Sequence, residues 1–219
     1  MQAGVITFPG SNCDRDIAVA LGAAGARVTP LWHAATELPK LDLIVLPGGF
    51  TYGDYLRCGA IAARAPIMAE VIRRAAAGVP VLGICNGFQI LTEAGLLPGA
   101  VIRNLGLKFI CRPVALEVAT SASVFTAGYV AGQTIELPIA HHDGCYVCAP
   151  DDLTRLQDED LVAFRYLDNP NGSVDNIAGV LGAGRNVLGL MPHPERAADP
   201  RTGGSDGQIM LQALVEALG

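Results

Sequence analysis

The chain has few charged side chains. They make up 16% of its 219 residues, below the roughly 25% usual for soluble domains, whereas apolar residues make up 51%. This balance excludes an intrinsically disordered chain, which needs low hydrophobicity and high charge. The net charge is −6 and no basic patch is visible, so the sequence argues against nucleic acid as the primary ligand.

The sequence also lacks a long hydrophobic run. No apolar stretch approaches the roughly 18 residues that a membrane-spanning helix needs. The first residues, MQAGVITF, carry neither the basic segment nor the cleavage site of a signal peptide. The six cysteines are therefore expected to be reduced thiols rather than a disulfide framework. Together these absences predict a cytoplasmic protein that does not bind a membrane.

The first half of the chain alternates predicted strands and helices. Short apolar runs predict strands at residues 4–8, 26–31, 41–46 and 79–84, and helical spacing predicts helices at 14–24, 65–77 and 86–94. This alternation is typical of a parallel sheet, because parallel strands are joined by crossover helices that cover both faces of the sheet.

The second half is less regular. It predicts strands at residues 107–119, 133–139, 161–166, 177–181 and 187–190, and a final helix at 207–218. Short turns between these strands favour antiparallel pairing. The sequence therefore predicts an α/β fold, with a doubly wound, mostly parallel sheet, helices on both faces and extra antiparallel strands in the second half. The length suits one domain over residues 1–219.

The segment GICNG at residues 83–87 carries the strongest chemical signal. It lies where a buried strand is predicted to meet a helix, and G-x-C-x-G at such a turn is the thiol version of a nucleophile elbow. The two glycines allow strand and helix to approach closely. The start of the helix stabilises a thiolate at Cys85. Most free cysteines are only small buried hydrophobes, but the agreement of strand, turn and helix favours a nucleophile.

A thiolate needs a general base, and His193 is the best candidate. It follows a predicted strand, in the segment MPHPE at residues 191–195, and so lies at the carboxyl edge of the sheet, where catalytic groups gather. Glu195 points to the same side of an extended segment and can hold the imidazole. Cys85, His193 and Glu195 together make a predicted triad.

An oxyanion hole is predicted beside the thiol. Gly49 ends the third predicted strand, and Asn86 begins the helix that follows Cys85. Their two backbone N–H groups can converge on a developing oxyanion, and each such donor is worth roughly 3 kcal/mol in a transition state.

Three blocks give the chain a resemblance to class I glutamine amidotransferases, the type with a Cys-His-Glu triad. They are PGG at residues 47–49, GICNGFQ at 83–89 and MPHPE at 191–195. Longer blocks resemble the glutaminase subunits of phosphoribosylformylglycinamidine synthase, the PurQ family. These are FPGSNCDRD at 8–16, PGGFTYGDYLRCGAIAA at 47–63 and PNGSVDNIAGV at 170–180.

The resemblance implies a role for each candidate residue. Cys85 is the nucleophile, His193 the base and acid, and Glu195 the orienting carboxylate. Three further residues bind substrate: Gly49 and Asn86 form the oxyanion hole, and Gln89 lines the glutamine pocket. The same resemblance implies that ammonia passes to a partner enzyme, which converts formylglycinamide ribonucleotide to the amidine in purine biosynthesis.

The resemblance also implies partners and cofactors. A large synthase subunit carries ATP and Mg²⁺, and a small subunit bridges the two larger ones. No cofactor or metal is expected in this chain, whose sequence has no P-loop. One segment departs from the family: His141-His142-Asp143-Gly144-Cys145 stands where an H-G-E-G-R-like run is usual. We expect this loop to face the partner.

Three alternatives remain at this point. The segment HHDGCYVC at residues 141–148 could form a zinc site, although a strand through Tyr146-Val147 would turn Cys145 and Cys148 to opposite sides. A stand-alone cysteine amidohydrolase would share the elbow and the triad. A thiol redox sensor would share the elbow cysteine but would not need the His193–Glu195 pair.

Overall fold

The computed structural model describes residues 1–201 and 203–219. The strands are β1 (Gln2–Thr7), β2 (Arg27–Trp32), β3 (Leu43–Leu46), β4 (Val81–Ile84), β5 (Ala100–Ile102), β6 (Ile110–Val118), β7 (Thr134–His141), β8 (Cys145–Val147), β9 (Val162–Tyr166), β10 (Ile177–Leu181) and β11 (Val187–Leu190). The α-helices are α1 (Asp14–Ala23), α2 (Pro66–Ala76), α3 (Asn86–Glu93), α4 (Pro150–Asp158) and α5 (Asp206–Leu218). Short 3₁₀ turns cover Thr51–Asp54, Ala62–Arg64, Val174–Asn176 and Pro194–Ala197.

A nine-stranded sheet organises the fold, in the order β2-β1-β3-β4-β11-β10-β9-β6-β7. The pairs from β2 to β11 are parallel, and those from β11 to β7 are antiparallel. From β1 to β2 the chain moves one way along the sheet, and from β3 to β4 it moves the other way. Right-handed crossovers therefore place α1 and α2 on opposite faces. The predicted α/β class, its parallel half and its added antiparallel strands are confirmed.

Most element boundaries agree with the sequence to within one or two residues. The predicted strand 107–119 begins only at Ile110, because the Asn104 side chain binds the backbone oxygen of Lys108 and holds that stretch in a turn (2.9 Å). Helix α4 was not predicted. It has nine residues, most of them polar, and its apolar face consists of the buried Leu156 and the partly buried Leu153, which is a short pattern to recognise in a sequence. Strands β5 and β8, which pair in a separate sheet, span three residues each.

The core packs against both faces of the sheet. Strands β3, β4, β10 and β11 are buried along their whole length, as expected for central strands covered on both sides. Across the described residues, none of the helices is both long and apolar enough to cross a membrane. The carboxyl ends of β3, β4 and β11 lie side by side, and the candidate site is built on that edge.

Candidate active site

Cys85 occupies a sharp turn between β4 and α3. Its backbone has φ 51° and ψ −106°, a region that costs a non-glycine residue about 1–3 kcal/mol and persists only where the surroundings enforce it. The flanking glycines explain why the turn is possible. A Cβ on Gly87 would strike the backbone oxygen of Leu46, and one on Gly83 would lie 2.7 Å from that of Gly87. The predicted elbow geometry is therefore present.

Sheet register brings His193 to Cys85. Strand β11 pairs with β4 so that Leu190 lies opposite Ile84, and the Cys85 N–H donates to the Leu190 oxygen (2.8 Å). His193 follows three residues later, and its N–H donates to the Pro138 oxygen on β7 (2.8 Å). Cys85 and His193 line one small cavity of about 160 Å³.

Glu195 holds the imidazole of His193. The distance from Nδ1 to Glu195 Oε1 is 2.6 Å, and the two side chains are 2% and 0% exposed. Burial disfavours the imidazolium, but the Glu195 carboxylate and the Cys85 sulfur outweigh it and raise the pKa of His193 well above its ordinary value. His193 Nε2 is buried and has no hydrogen-bond partner among the described residues. Glu195 therefore fixes the orientation of the ring through Nδ1, and Nε2 is left without a partner among the described residues.

The two predicted oxyanion-hole residues flank the thiol. Gly49 follows β3 and lines the same cavities as Cys85. Asn86 is the first residue of α3, where backbone N–H groups have no partner within the helix. The Asn86 side chain has a second role that the sequence did not reveal. It accepts from the Thr51 N–H (3.0 Å) and donates to Gln89 Oε1 (2.7 Å), so it ties the 51–54 turn to the helix.

Gln89 lies in the same turn of α3 and faces a cavity of about 330 Å³ that reaches Cys85. Its Nε2 donates to the Asp143 backbone oxygen (2.6 Å), so the side chain fixes the loop after β7. The structure therefore brings all six predicted residues to one edge of the sheet: Gly49, Cys85, Asn86, Gln89, His193 and Glu195.

The opposite wall of this cavity was missed by sequence reasoning. It contains two acidic residues, Asp54 and Asp143, with the Cys58 sulfur against both. Arg103 Nε lies 2.8 Å from Asp143 Oδ1. Burial raises the pKa of Asp54, and the negative charge of Asp143 adds to the rise. Two features of the sequence could have drawn attention to these acids. Asp54 lies within the long block at 47–63, and Asp143 lies in the segment that is expected to depart from the family.

His141 closes this wall. It is 3% exposed, and its Nδ1 lies 3.1 Å from Asn104 Oδ1. Asn104 Nδ2 donates to two backbone oxygens, so Oδ1 must be the acceptor and His141 Nδ1 carries the proton. Burial and the neighbouring His193 lower the pKa of His141 to about 4. His141 is therefore neutral at pH 7, with a lone pair on Nε2.

Two cysteine arrangements bear on metal binding. Cys13, His193 and Glu195 bring ligand atoms within 4.8 Å of one another, but the Arg196 guanidinium donates to the Cys13 sulfur (3.0 Å) and its positive charge opposes a cation there. Strand β8 ends at Val147, one residue before Cys148, so the expectation of a strand through Tyr146-Val147 is confirmed.

Comparison with known proteins gives the same family over the whole chain. A CobB/CobQ-like glutamine amidotransferase domain matches residues 1–203. The subunit PurQ of phosphoribosylformylglycinamidine synthase from Cereibacter sphaeroides is 63% identical over 98% of this chain and 97% of its own length. The same subunit from Roseobacter denitrificans is 62% identical over 100% of this chain and 99% of its own length.

A solved structure agrees with the sequence relatives. One chain in the structure of PurLQS from Thermotoga maritima has a TM-score of 0.92 and 45% identity, and the match covers 100% of this chain and 99% of that one. At this identity and coverage, fold and family are shared rather than the fold alone. The chain therefore belongs to the CobB/CobQ-like glutamine amidotransferases and, among them, to the PurQ subunits of phosphoribosylformylglycinamidine synthase.

Proposed function

We propose that this chain hydrolyses glutamine to glutamate and ammonia, and delivers the ammonia to a synthase subunit that converts formylglycinamide ribonucleotide to formylglycinamidine ribonucleotide in purine biosynthesis. The observation that carries the proposal is the elbow thiol of Cys85 beside a buried His193 that is held by Glu195 at 2.6 Å. The PurQ relatives supply the identity of the synthase.

The chemistry follows from the positions of the groups. Cys85 Sγ attacks the side-chain carbonyl carbon of glutamine, and His193 Nε2 accepts the thiol proton. His193 then donates this proton to the amide nitrogen, which leaves as ammonia. The backbone N–H groups of Gly49 and Asn86 stabilise the tetrahedral oxyanion. Water, deprotonated by His193, then cleaves the glutamyl thioester, and Glu195 holds the ring through both steps. Gln89 shapes the pocket for the substrate.

Apolar side chains at the mouth of the cavity support a docking partner. Phe50, Leu56 and Phe109 line the cavity and are 44%, 89% and 50% exposed, and Leu105 and Leu107 are exposed nearby in sequence. Exposed apolar groups gathered around a site are typical of protein interaction surfaces. We assign this rim to the large synthase subunit, with a small bridging subunit completing the complex.

We assign ATP and Mg²⁺ to the synthase subunit. Arg103, the arginine of the 330 Å³ cavity, is paired with Asp143, so it is not set for phosphate. We further propose that residues 1–219 act as one domain, because a continuous core joins β1 to α5. All six cysteines are free thiols, which is usual in the reducing cytoplasm, and we assign the chain to that compartment.

Amide-labelled glutamine tests the proposal. The chain is assayed with the large and bridging subunits of the same organism, using [amide-¹⁵N]glutamine in the presence of unlabelled ammonium. We expect glutamate release to rise at least about tenfold when the partners and their nucleotide substrates are added, and the ¹⁵N to enter the amidine product undiluted. Full activity without partners, with the label lost to the ammonium pool, would instead identify a stand-alone amidohydrolase.

A further inference from the structure

A second thiol lies beside the predicted triad. Cys13 precedes helix α1, is 2% exposed and lines the cavity of about 160 Å³ together with Cys85 and His193. We propose that Cys13 is a positioning residue for the reaction: its sulfur, held by Arg196, fixes the imidazole of His193 for proton transfer with Cys85. This inference rests on the proposed function. The residue roles that the family resemblance implies do not include Cys13 or Arg196.

The backbone of Cys13 is anchored to the edge of the sheet that carries the triad. Its N–H donates to the oxygen of Gly48, just beyond β3 (3.2 Å), and its own oxygen accepts from the Ile17 N–H in α1 (3.1 Å). Gly48 also explains how the thiol reaches the imidazole. A Cβ at that position would lie 2.8 Å from His193 Cε1 and 3.2 Å from Cys13 Sγ. The glycine therefore leaves the space in which the two side chains converge.

Two hydrogen bonds fix the direction of the Cys13 sulfur. Its S–H donates to Asn12 Oδ1 (3.2 Å), and the sulfur accepts from Arg196 Nη2 (3.0 Å). A thiol has a single proton, so the sulfur presents its lone pairs to its other neighbours, which are the guanidinium and the His193 ring. Arg196 is itself held by an ion pair from Nε to Asp16 Oδ2 on α1 (3.4 Å). The position of the sulfur is therefore set from both sides.

The contact with the sulfur gives the His193 ring a second support. Cys13, His193 and Glu195 bring ligand atoms within 4.8 Å of one another. The hydrogen bond from Nδ1 to Glu195 holds one corner of the ring, and the sulfur restricts tilting about that corner, to which proton transfer is sensitive. Burial lowers the pKa of His193, whereas Glu195, Cys85 and also Cys13 raise it. Cys13 therefore favours the imidazolium that forms when the ring accepts the thiol proton.

Removal of the sulfur tests the proposal. In the complex with the synthase subunits, we expect Cys13→Ala to lower kcat for glutamine hydrolysis about 10- to 100-fold with KM nearly unchanged, because only the ring loses a support. The alkaline limb of the kcat/KM profile, where the imidazolium loses its proton, should move to lower pH. Cys13→Ser should lie between the two proteins in both measurements, since its shorter hydroxyl still accepts from Arg196.

A spectroscopic measurement separates positioning from a structural role. Histidine labelled with ¹³C at Cε1 reports the titration of His193, whose signal is assigned by its loss in His193→Ala. We expect a lower titration midpoint in Cys13→Ala. Cys145→Ala is the matched control, because this sulfur is similarly buried, at 5% exposure, and lies outside the cavities that reach Cys85. It should change neither the midpoint nor the pH profile of activity.

A double variant tests the part assigned to Arg196. Because Arg196 acts through the sulfur, its replacement in Arg196→Met should cost less in the Cys13→Ala background than in the unaltered chain, and fully additive losses would contradict this.

Two results would overturn the role of Cys13. One is an unchanged kcat and pH profile in Cys13→Ala, and the other is a loss of activity with an unchanged His193 midpoint. If the melting temperature shows that Cys13→Ala does not fold, Cys13→Ser decides on the same two measurements. The His193 signal needs no turnover, so it tests Cys13 separately from the proposed function, which absence of glutaminase activity in the unaltered complex would refute.

Discussion

The two walls of the cavity around Cys85 are built differently. The triad wall comes from the ends of the adjacent parallel strands β4 and β11, so backbone hydrogen bonds fix Cys85 and His193 directly. The opposite wall comes from the 51–54 turn and the loop after β7, and side-chain hydrogen bonds from Asn86 and Gln89 hold it in place. The first wall holds the predicted triad, and the second holds the acidic residues Asp54 and Asp143 with Arg103.

The difference teaches that the predicted reacting groups lie on the rigid part of the fold, whereas the groups that face them lie on loops. Strand ends keep reacting atoms within the small tolerances that catalysis needs. Loops can vary in sequence while the sheet is unchanged, and the loop after β7 contains the segment that is expected from the sequence to depart from the family pattern. Each prediction below changes residues of one wall or tests for bound metal, and states the effect expected on activity or stability.

Cys85→Ala should cause the largest loss. Glutaminase activity is expected to fall by about 10⁴-fold or more, because Cys85 is the cysteine that occupies the strained turn between β4 and α3. The complex with its synthase should still make product from added ammonium, since only ammonia supply is removed. Glutamate release and ammonium-dependent synthesis are measured on the same preparation. Glutaminase activity that survived in this variant would disprove the nucleophile assignment.

His193→Ala should nearly equal that loss, and Glu195→Gln should be milder, at about 10²- to 10⁴-fold, because a neutral amide oxygen can still accept from Nδ1. Single-turnover kinetics check both. Nucleophile and base act as one unit, so their effects should not add. The double variant Cys85→Ala/His193→Ala should therefore be no worse than either single one, and a much larger loss would contradict the triad.

His141→Gln should alter the pH dependence of stability. The pKa of His141 is lowered from 6.5 to about 4 in the folded chain, so between these values the unfolded state binds a proton that the folded state does not. The free energy of unfolding then falls as pH falls through this window, by up to about 3 kcal/mol from this residue.

Urea titrations from pH 7 to pH 4 measure that effect. The fall in unfolding free energy should be smaller in His141→Gln by up to the same amount. The pKa of His193 is raised well above 6.5, so its contribution changes mainly above that pH, and the two proteins are compared over the part of the titration below it. Parallel curves for the unaltered chain and the variant would show that His141 titrates normally.

Chelation should have the smallest effect. We expect the purified protein to hold substoichiometric zinc, and a chelator to leave its melting temperature unchanged, because a chain of this length needs no metal to fold. Elemental analysis and thermal denaturation check this. One equivalent of zinc that is lost together with the fold would instead give Cys145 and Cys148 a structural role.

The sequence was informative where function depends on contiguous residues. GICNG and HPE each place reacting groups within a few positions, and buried strands before them fix which edge of the sheet they occupy. Asp54 and Asp143 are far apart in the chain and lie in irregular segments, so only the folded loops bring them together. Helix α4 escaped prediction because it is short and mostly polar, with only Leu153 and Leu156 on its apolar face.

The first turn of α3 joins these two walls mechanically. Asn86 holds the 51–54 turn, Gln89 holds the loop at Asp143, and the two side chains are bonded to each other. The residue that anchors this linkage is the immediate neighbour of Cys85 and carries one of the proposed oxyanion donors. The turn at 51–54 is therefore separated from the nucleophile by one hydrogen bond and one peptide bond.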